Sequence, residues 1–242
     1  MSFEGGVLTN DQLSRFFKAA FAAIGGKRND SVPWYLNERP KLITRQTFFE
    51  QAAWAVWVAG MRAETIRGLF ERAQLQGFPS GFGAVARWTA PRLQRFVQSL
   101  HGRPAGPRAV AKWQAVHFLA QDLGRYRGEA KFREGYFAGK VCSRDLDDSD
   151  IESLVEKELP FIGSANAHFI ARNIGGEAVK CDRWMLSFLR SARMTLKQLN
   201  VRLDALGIRR GLFDLVVWCY CERFVRNSKL LAPHVRRMAG AP

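Results

Sequence analysis

A chain of 242 residues can bury a sizeable core, and 47% apolar with 24% charged residues is the balance of a folded globular protein rather than a disordered one. Thirty-seven Lys and Arg against 22 Asp and Glu leave a net charge of +15, which favours a polyanionic partner. On charge alone, nucleic acid, membrane lipid and acidic protein all remain open as that partner.

The opening residues, Phe3-Glu4-Gly5-Gly6 and then Asn10-Asp11-Gln12, lack the basic-then-apolar order of a secretory leader, and the longest apolar run, Ala52 to Met61, is too short to span a bilayer. A soluble, cytoplasmic protein with no membrane partner is expected. Apolar residues then recur at helical rather than strand spacing almost throughout, which predicts an all-α fold. In chain order the predicted helices are Thr9 to Ile24, Arg45 to Gly60, Ala63 to Gln76, Phe82 to Arg87, Ala90 to Leu100, Pro107 to Leu123 and Lys131 to Phe137. They continue as Ser149 to Glu158, Ala165 to Ile174, Arg183 to Leu189, Thr195 to Leu206 and Leu212 to Val225. Gly25-Gly26, Gly77-Phe78-Pro79, Gly102-Arg103-Pro104 and Gly175-Gly176 punctuate this order, and the end after Arg237 is expected to fray.

Charge is unevenly spread along these elements. Residues 183 to 242 hold twelve Lys or Arg against only Asp204, Asp214 and Glu222, whereas Cys142 to Pro160 holds seven acids and two bases. Cys142, Cys181, Cys219 and Cys221 lack paired metal-ligand spacing and read as reduced, packed thiols, and His101, His117, His168 and His234 are dispersed. No cofactor and no metal are expected.

One stretch carries chemistry. Leu159-Pro160-Phe161-Ile162-Gly163-Ser164-Ala165-Asn166-Ala167 lies between two predicted helices, and such a turn exposes backbone N–H groups at the second helix's N-terminus. Those donors, helped by the helix dipole, can hold a DNA phosphate without side-chain charge. Nineteen positions after Gly163 comes a carboxylate, Asp182, in Val179-Lys180-Cys181-Asp182-Arg183-Trp184. A carboxylate there can act on a reacting sugar, or can be the N-cap of the helix that begins at Arg183.

The run Leu159 to Trp184 resembles the signature of the helix-hairpin-helix DNA glycosylases, in which a Leu-Pro-Gly-Ile/Val-Gly hairpin is followed, after one helix and a Gly-containing loop, by an essential aspartate. The resemblance extends more loosely over residues 45 to 226. It implies a two-lobed helical architecture: residues 45–182 as a middle lobe carrying the hairpin at about 147–175, and residues 1–44 with 183–242 as a second lobe. It implies Asp182 as the catalytic acid, and a DNA surface built from Phe161, Gly163, Ser164, Ala165, Lys180 and Arg183. Met61 and Arg62, in Gly60-Met61-Arg62-Ala63, match the turn that inserts a residue into the duplex.

Two positions depart from the family pattern. The first hairpin glycine is Phe161 here. The lysine that makes strand-cutting members bifunctional is Ala165, so the implied chemistry is monofunctional hydrolysis, with Lys180 as the alternative nucleophile or else a phosphate contact or solvated charge. Trp34, Tyr35, Trp54, Trp57, Trp113, Phe161 and Trp184 offer aromatic faces for an everted base or for core packing, with Trp34, Tyr35, Trp113 and Trp184 the pocket candidates. The family's occasional iron–sulfur cluster needs four C-terminal cysteines, and only Cys219 and Cys221 are there. The expected partner is double-stranded DNA carrying a damaged or modified base, met by a monomer. Excision in repair, removal of hypermodified phage bases in antiviral defence, and noncatalytic DNA binding by a retained hairpin are the functional alternatives.

Overall fold

The computed structural model describes residues 6–28, 30–61, 63–101, 105–141, 146, 148–157, 159–225 and 227–240. Among these the fold is all α, with 14 helices and no strand. The chain divides into two compact units, 1–39 with 177–242, and 40–176. These boundaries fall a few residues before the 44/45 and 182/183 divisions expected from sequence, so Asp182 belongs to the unit made from both chain ends.

The unit from both ends holds α1 (Asn10–Ala23), α2 (Ser31–Pro33), α11 (Arg183–Ala192), α12 (Leu196–Ala205), α13 (Arg210–Phe224) and α14 (Leu231–Ala239). Thr9 and Thr195 start α1 and α12 as capping boxes, each hydroxyl accepting from the backbone of Gln12 or Gln198 while that glutamine side chain accepts from the threonine N–H. The core closes around Phe16, Phe188 and Phe213, with ring centroids 4.9 Å apart for the first pair and 5.2 Å for Phe188 with Phe213. Burying each such ring stabilises the unit by about 2–3 kcal/mol.

Two helices here escaped the sequence reading. α2 continues into a π-helical turn, Trp34–Glu38, and α14 buries Leu231, Val235 and Ala239 against α1 and α11. Each carries a proline, Pro33 or Pro233, which reads as a breaker in sequence. In a first helical turn the missing N–H removes nothing, because those donors have no intrahelical acceptor anyway.

The unit spanning 40–176 holds α3 (Arg45–Val58), α4 (Ala63–Leu75), α5 (Phe82–Ala86), α6 (Ala90–His101), α7 (Pro107–Arg125), α8 (Glu129–Phe137), α9 (Asp148–Glu156) and α10 (Ser164–Asn173). α7 is its axis and packs on α3, α5 and α6, with the Trp113 ring 5.1 Å from Trp57 of α3, 5.6 Å from Phe96 of α6 and 4.9 Å from Phe78 in the segment before α5. α10 packs on α3 and α9, and Asn173 Nδ2 donates to Gln51 Oε1 at 2.9 Å.

α3 ends in an unusual cap. Lys112 of α7 is buried, and its Nζ donates to the carbonyls of Trp57 at 2.6 Å and Ala59 at 2.8 Å. A cation is well placed among the orphan carbonyls of a helix C-terminus. Burial, with the Arg108 guanidinium adding, nevertheless lowers its pKa to about 8. Gly60 follows with φ +67, a backbone conformation that favours glycine, and a Cβ there would push aside the Arg108 guanidinium.

Candidate functional site

The turn between α9 and α10 is built by its two apolar ends. Leu159 and Ile162 are buried while Gly163 and Ser164 are exposed, so the segment is pinned inward at alternate points and presents Gly163 outward. The Ile162 N–H donates to the Leu159 carbonyl at 3.0 Å, and Asn166 Nδ2 donates to the Phe161 carbonyl at 2.5 Å. Phe161 has φ +66, the left-handed region that glycine enters freely and a phenylalanine enters at about 1–2 kcal/mol. The backbone thus takes a glycine conformation at the position where the sequence has a bulky ring.

Gly163 is the N-cap of α10 and has no side chain to offer its first turn. Its carbonyl accepts from Asn166 and Ala167. Among the described residues, the N–H groups of Gly163, Ser164 and Ala165 have no acceptor. A Cβ built on Gly163 meets nothing within 4 Å, so the approach to these donors is open. His168, one turn on, donates through Nδ1 to the Ser164 carbonyl at 2.7 Å.

In the other unit, Asp182 is the N-cap of α11. Its Oδ1 accepts from the backbone of Trp184 at 2.9 Å and of Met185 at 3.2 Å, and its Oδ2 lies 3.4 Å from Lys180 Nζ. The carboxylate side chain is 20% exposed. One oxygen is therefore committed to the helix and the other faces a single cation, which leaves a rigid, partly accessible negative charge at a helix start. Behind it sits Cys221, whose thiol is pushed up to about 12 by burial, with the charges of Asp182 and Glu222 adding. That sulfur is an inert packing group.

The aromatic candidates divide by their surroundings. Tyr35 and Trp113 are enclosed: Trp113 lies in the ring cluster of α7, and Tyr35 donates from its hydroxyl to Glu177 Oε2 at 3.0 Å, with the Arg39 guanidinium 4.0 Å over its ring. Neither has a face to give a base. Trp184 is also buried, its Nε1 donating to Glu222 Oε1 at 2.9 Å beneath the exposed Arg183. Trp34 and Trp54 are half-buried, Trp34 against the core of its unit. Trp57 packs in the cluster of Trp113 and Phe70. Met61 is exposed directly after Gly60, and Arg62 lies outside the described residues, as does Cys142.

Two acids that the sequence reading gave no site role hold local order. Glu222 receives Trp184 and pairs with Arg183 at 3.6 Å. Glu177 Oε1 accepts from Arg39 at 2.7 Å and from Arg209 at 2.6 Å, and its Oε2 accepts from Tyr35 and, at 3.3 Å, from the Gly211 N–H. No sequence spacing links residues so far apart. Among the described residues, no group of three His, Cys, Asp or Glu is arranged to hold a metal, and no helix is long and apolar enough to cross a membrane. No family model, curated protein or solved structure matches the chain.

Proposed function

We propose that this protein is a monofunctional DNA glycosylase of the helix-hairpin-helix type, which everts a damaged or modified base and hydrolyses its N-glycosidic bond. The observation that carries the reading is the Phe161–Gly163 turn: a left-handed residue where the motif has glycine, followed by open, unaccepted amides at the start of a ten-residue helix. Such amides suit a backbone phosphate, because a helix N-terminus offers both donors and a positive dipole end.

Departure of a base develops positive charge across the deoxyribose ring. A fixed carboxylate at Asp182 stabilises that charge and orients the water that bonds to the anomeric carbon, while the base leaves with the bonding electrons and takes up a proton. Asp182 needs little reorganisation for this role, since two backbone donors already hold it. Lys180 Nζ lies 3.4 Å from Asp182 Oδ2, where it supports the carboxylate as an ion-pair partner. With Ala165 in the hairpin position of the lyase lysine, the product is an abasic site in an uncut strand.

Mass spectrometry of free bases released from duplexes carrying oxidised or alkylated purines, and from phage DNA with altered cytosines, tests activity and substrate together. The wild type is expected to release one class. Asp182→Asn is expected to keep the N-cap and DNA affinity, because the amide oxygen still accepts from Trp184 and Met185, and to lose base release by a factor of about 10² or more. A second reading, noncatalytic DNA binding, draws on the same N-cap geometry, which gives the carboxylate a sufficient structural role. It predicts no base release from either protein.

A further inference from the structure

One face of α11, from Leu186 to its C-terminal end, forms an open groove with the start of α12. It is an open depression of about 440 Å³, lined by the apolar Leu186, Leu189 and Met194 together with Arg190, Arg193, Thr195 and Gln198. The size lies in the range that accepts a small ligand or a few inserted side chains. Leu186 is 47% exposed at the mouth of this depression, while Leu189 and Met194 are buried beneath it. Arg190 Nε donates back to the Leu186 carbonyl at 3.2 Å, which holds its guanidinium alongside that leucine.

The charge around the groove is one-sided. Both charged residues of its lining, Arg190 and Arg193, are cationic. An apolar cavity with a cationic rim selects a partner that carries both an aliphatic or aromatic anchor and carboxylates. A nucleic-acid backbone supplies anions but nothing for Leu186, Leu189 and Met194 to bury. Met194 adds a side chain that adapts to varied anchors, and arginine pairs carboxylates in a two-pronged geometry.

We infer that the α11–α12 groove is a docking site for an acidic protein segment bearing a large apolar residue. The anchor enters between Leu186 and Met194 while flanking carboxylates meet Arg190 and Arg193. The groove begins at Leu186, one turn or about 6 Å along α11 from Asp182, and runs on to Arg193 at the helix C-cap. The inference stands independently of the glycosylase reading.

The probe is a fluorescent peptide, Asp-Glu-Asp-Leu-Phe-Asp-Glu, titrated with the full chain by anisotropy, alongside a control peptide with Ser-Ser replacing Leu-Phe. Saturable binding is expected for the first and at least about tenfold weaker binding for the control. Leu186→Gln and Arg190→Glu change exposed positions, so both variants are expected to melt within a few degrees of the wild type and each to weaken the peptide about tenfold or more. The inference is overturned if neither peptide binds, if both bind alike, or if Leu186→Gln leaves affinity unchanged. It is equally overturned if an oligonucleotide displaces the peptide, which makes the groove a nucleic-acid surface, or if sedimentation shows the chain covering the groove with a second copy of itself.

Discussion

At the scale of single residues, Phe161 and Gly163 set opposite demands on one turn. Gly163 has an ordinary extended backbone and open space around its missing Cβ, so Gly163→Ala is expected to fold, with stability lowered by no more than about 1 kcal/mol because alanine is the poorer N-cap. The added methyl nevertheless stands where a phosphate would meet the amides, and affinity for an abasic-site duplex should fall about tenfold. Phe161→Gly removes left-handed strain but also half-buried ring contacts, which leaves stability within about 1 kcal/mol and should tighten DNA binding. Melting temperature and fluorescence anisotropy on both variants separate the two effects. That Asp182 begins a helix was legible in its sequence position, because aspartate before an apolar periodic run is a strong N-cap. The engagement of its second oxygen by Lys180 was not, since neighbours two apart in an irregular segment have no fixed geometry.

At the scale of elements, the Lys112 cap ties α7 to the end of α3 and carries a proton-linked term. The folded pKa is about 8 and the reference value is 10.5, so between these limits the unfolded chain binds a proton that the folded chain does not. Stability contributed at this site therefore rises with pH across that window and is least below pH 8, where the buried ammonium is charged. Urea unfolding of wild type and Lys112→Met from pH 7.5 to 10.5 checks the sign: the difference in favour of the wild type should grow with pH, and a flat or falling difference removes the assignment. Helix order was readable from the sequence because apolar spacing of three and four persists through α1, α6 and α11. α2 and α14 lie outside the helices predicted from sequence, and each carries a proline in its first turn, where no intrahelical acceptor is lost. The partnership of Lys112 with α3 could not be read, because a lysine among apolar positions gives no hint of which carbonyls it will reach.

At the scale of the whole molecule, one acid organises the place where the chain leaves the unit of both ends and returns to it. Arg39 is the last residue before the departure and Glu177 the first after the return, and they pair at 2.7 Å with Arg39 only 8% exposed. Glu177→Gln takes the charge from two guanidiniums and should destabilise by about 2–3 kcal/mol, seen as a fall of about 5–10 °C in melting temperature. A nearly unchanged melting curve would show the pairs to be no better than surface bridges. No sequence pattern announced this, since Gly175-Gly176 and Pro40 mark a break in the chain but not which residues meet across it. With both connectors stapled side by side, residues 40–176 have the connectivity of an inserted cassette. The remainder is a host whose two severed ends already sit at ion-pair distance, ready to be spliced by a short glycine–serine bridge.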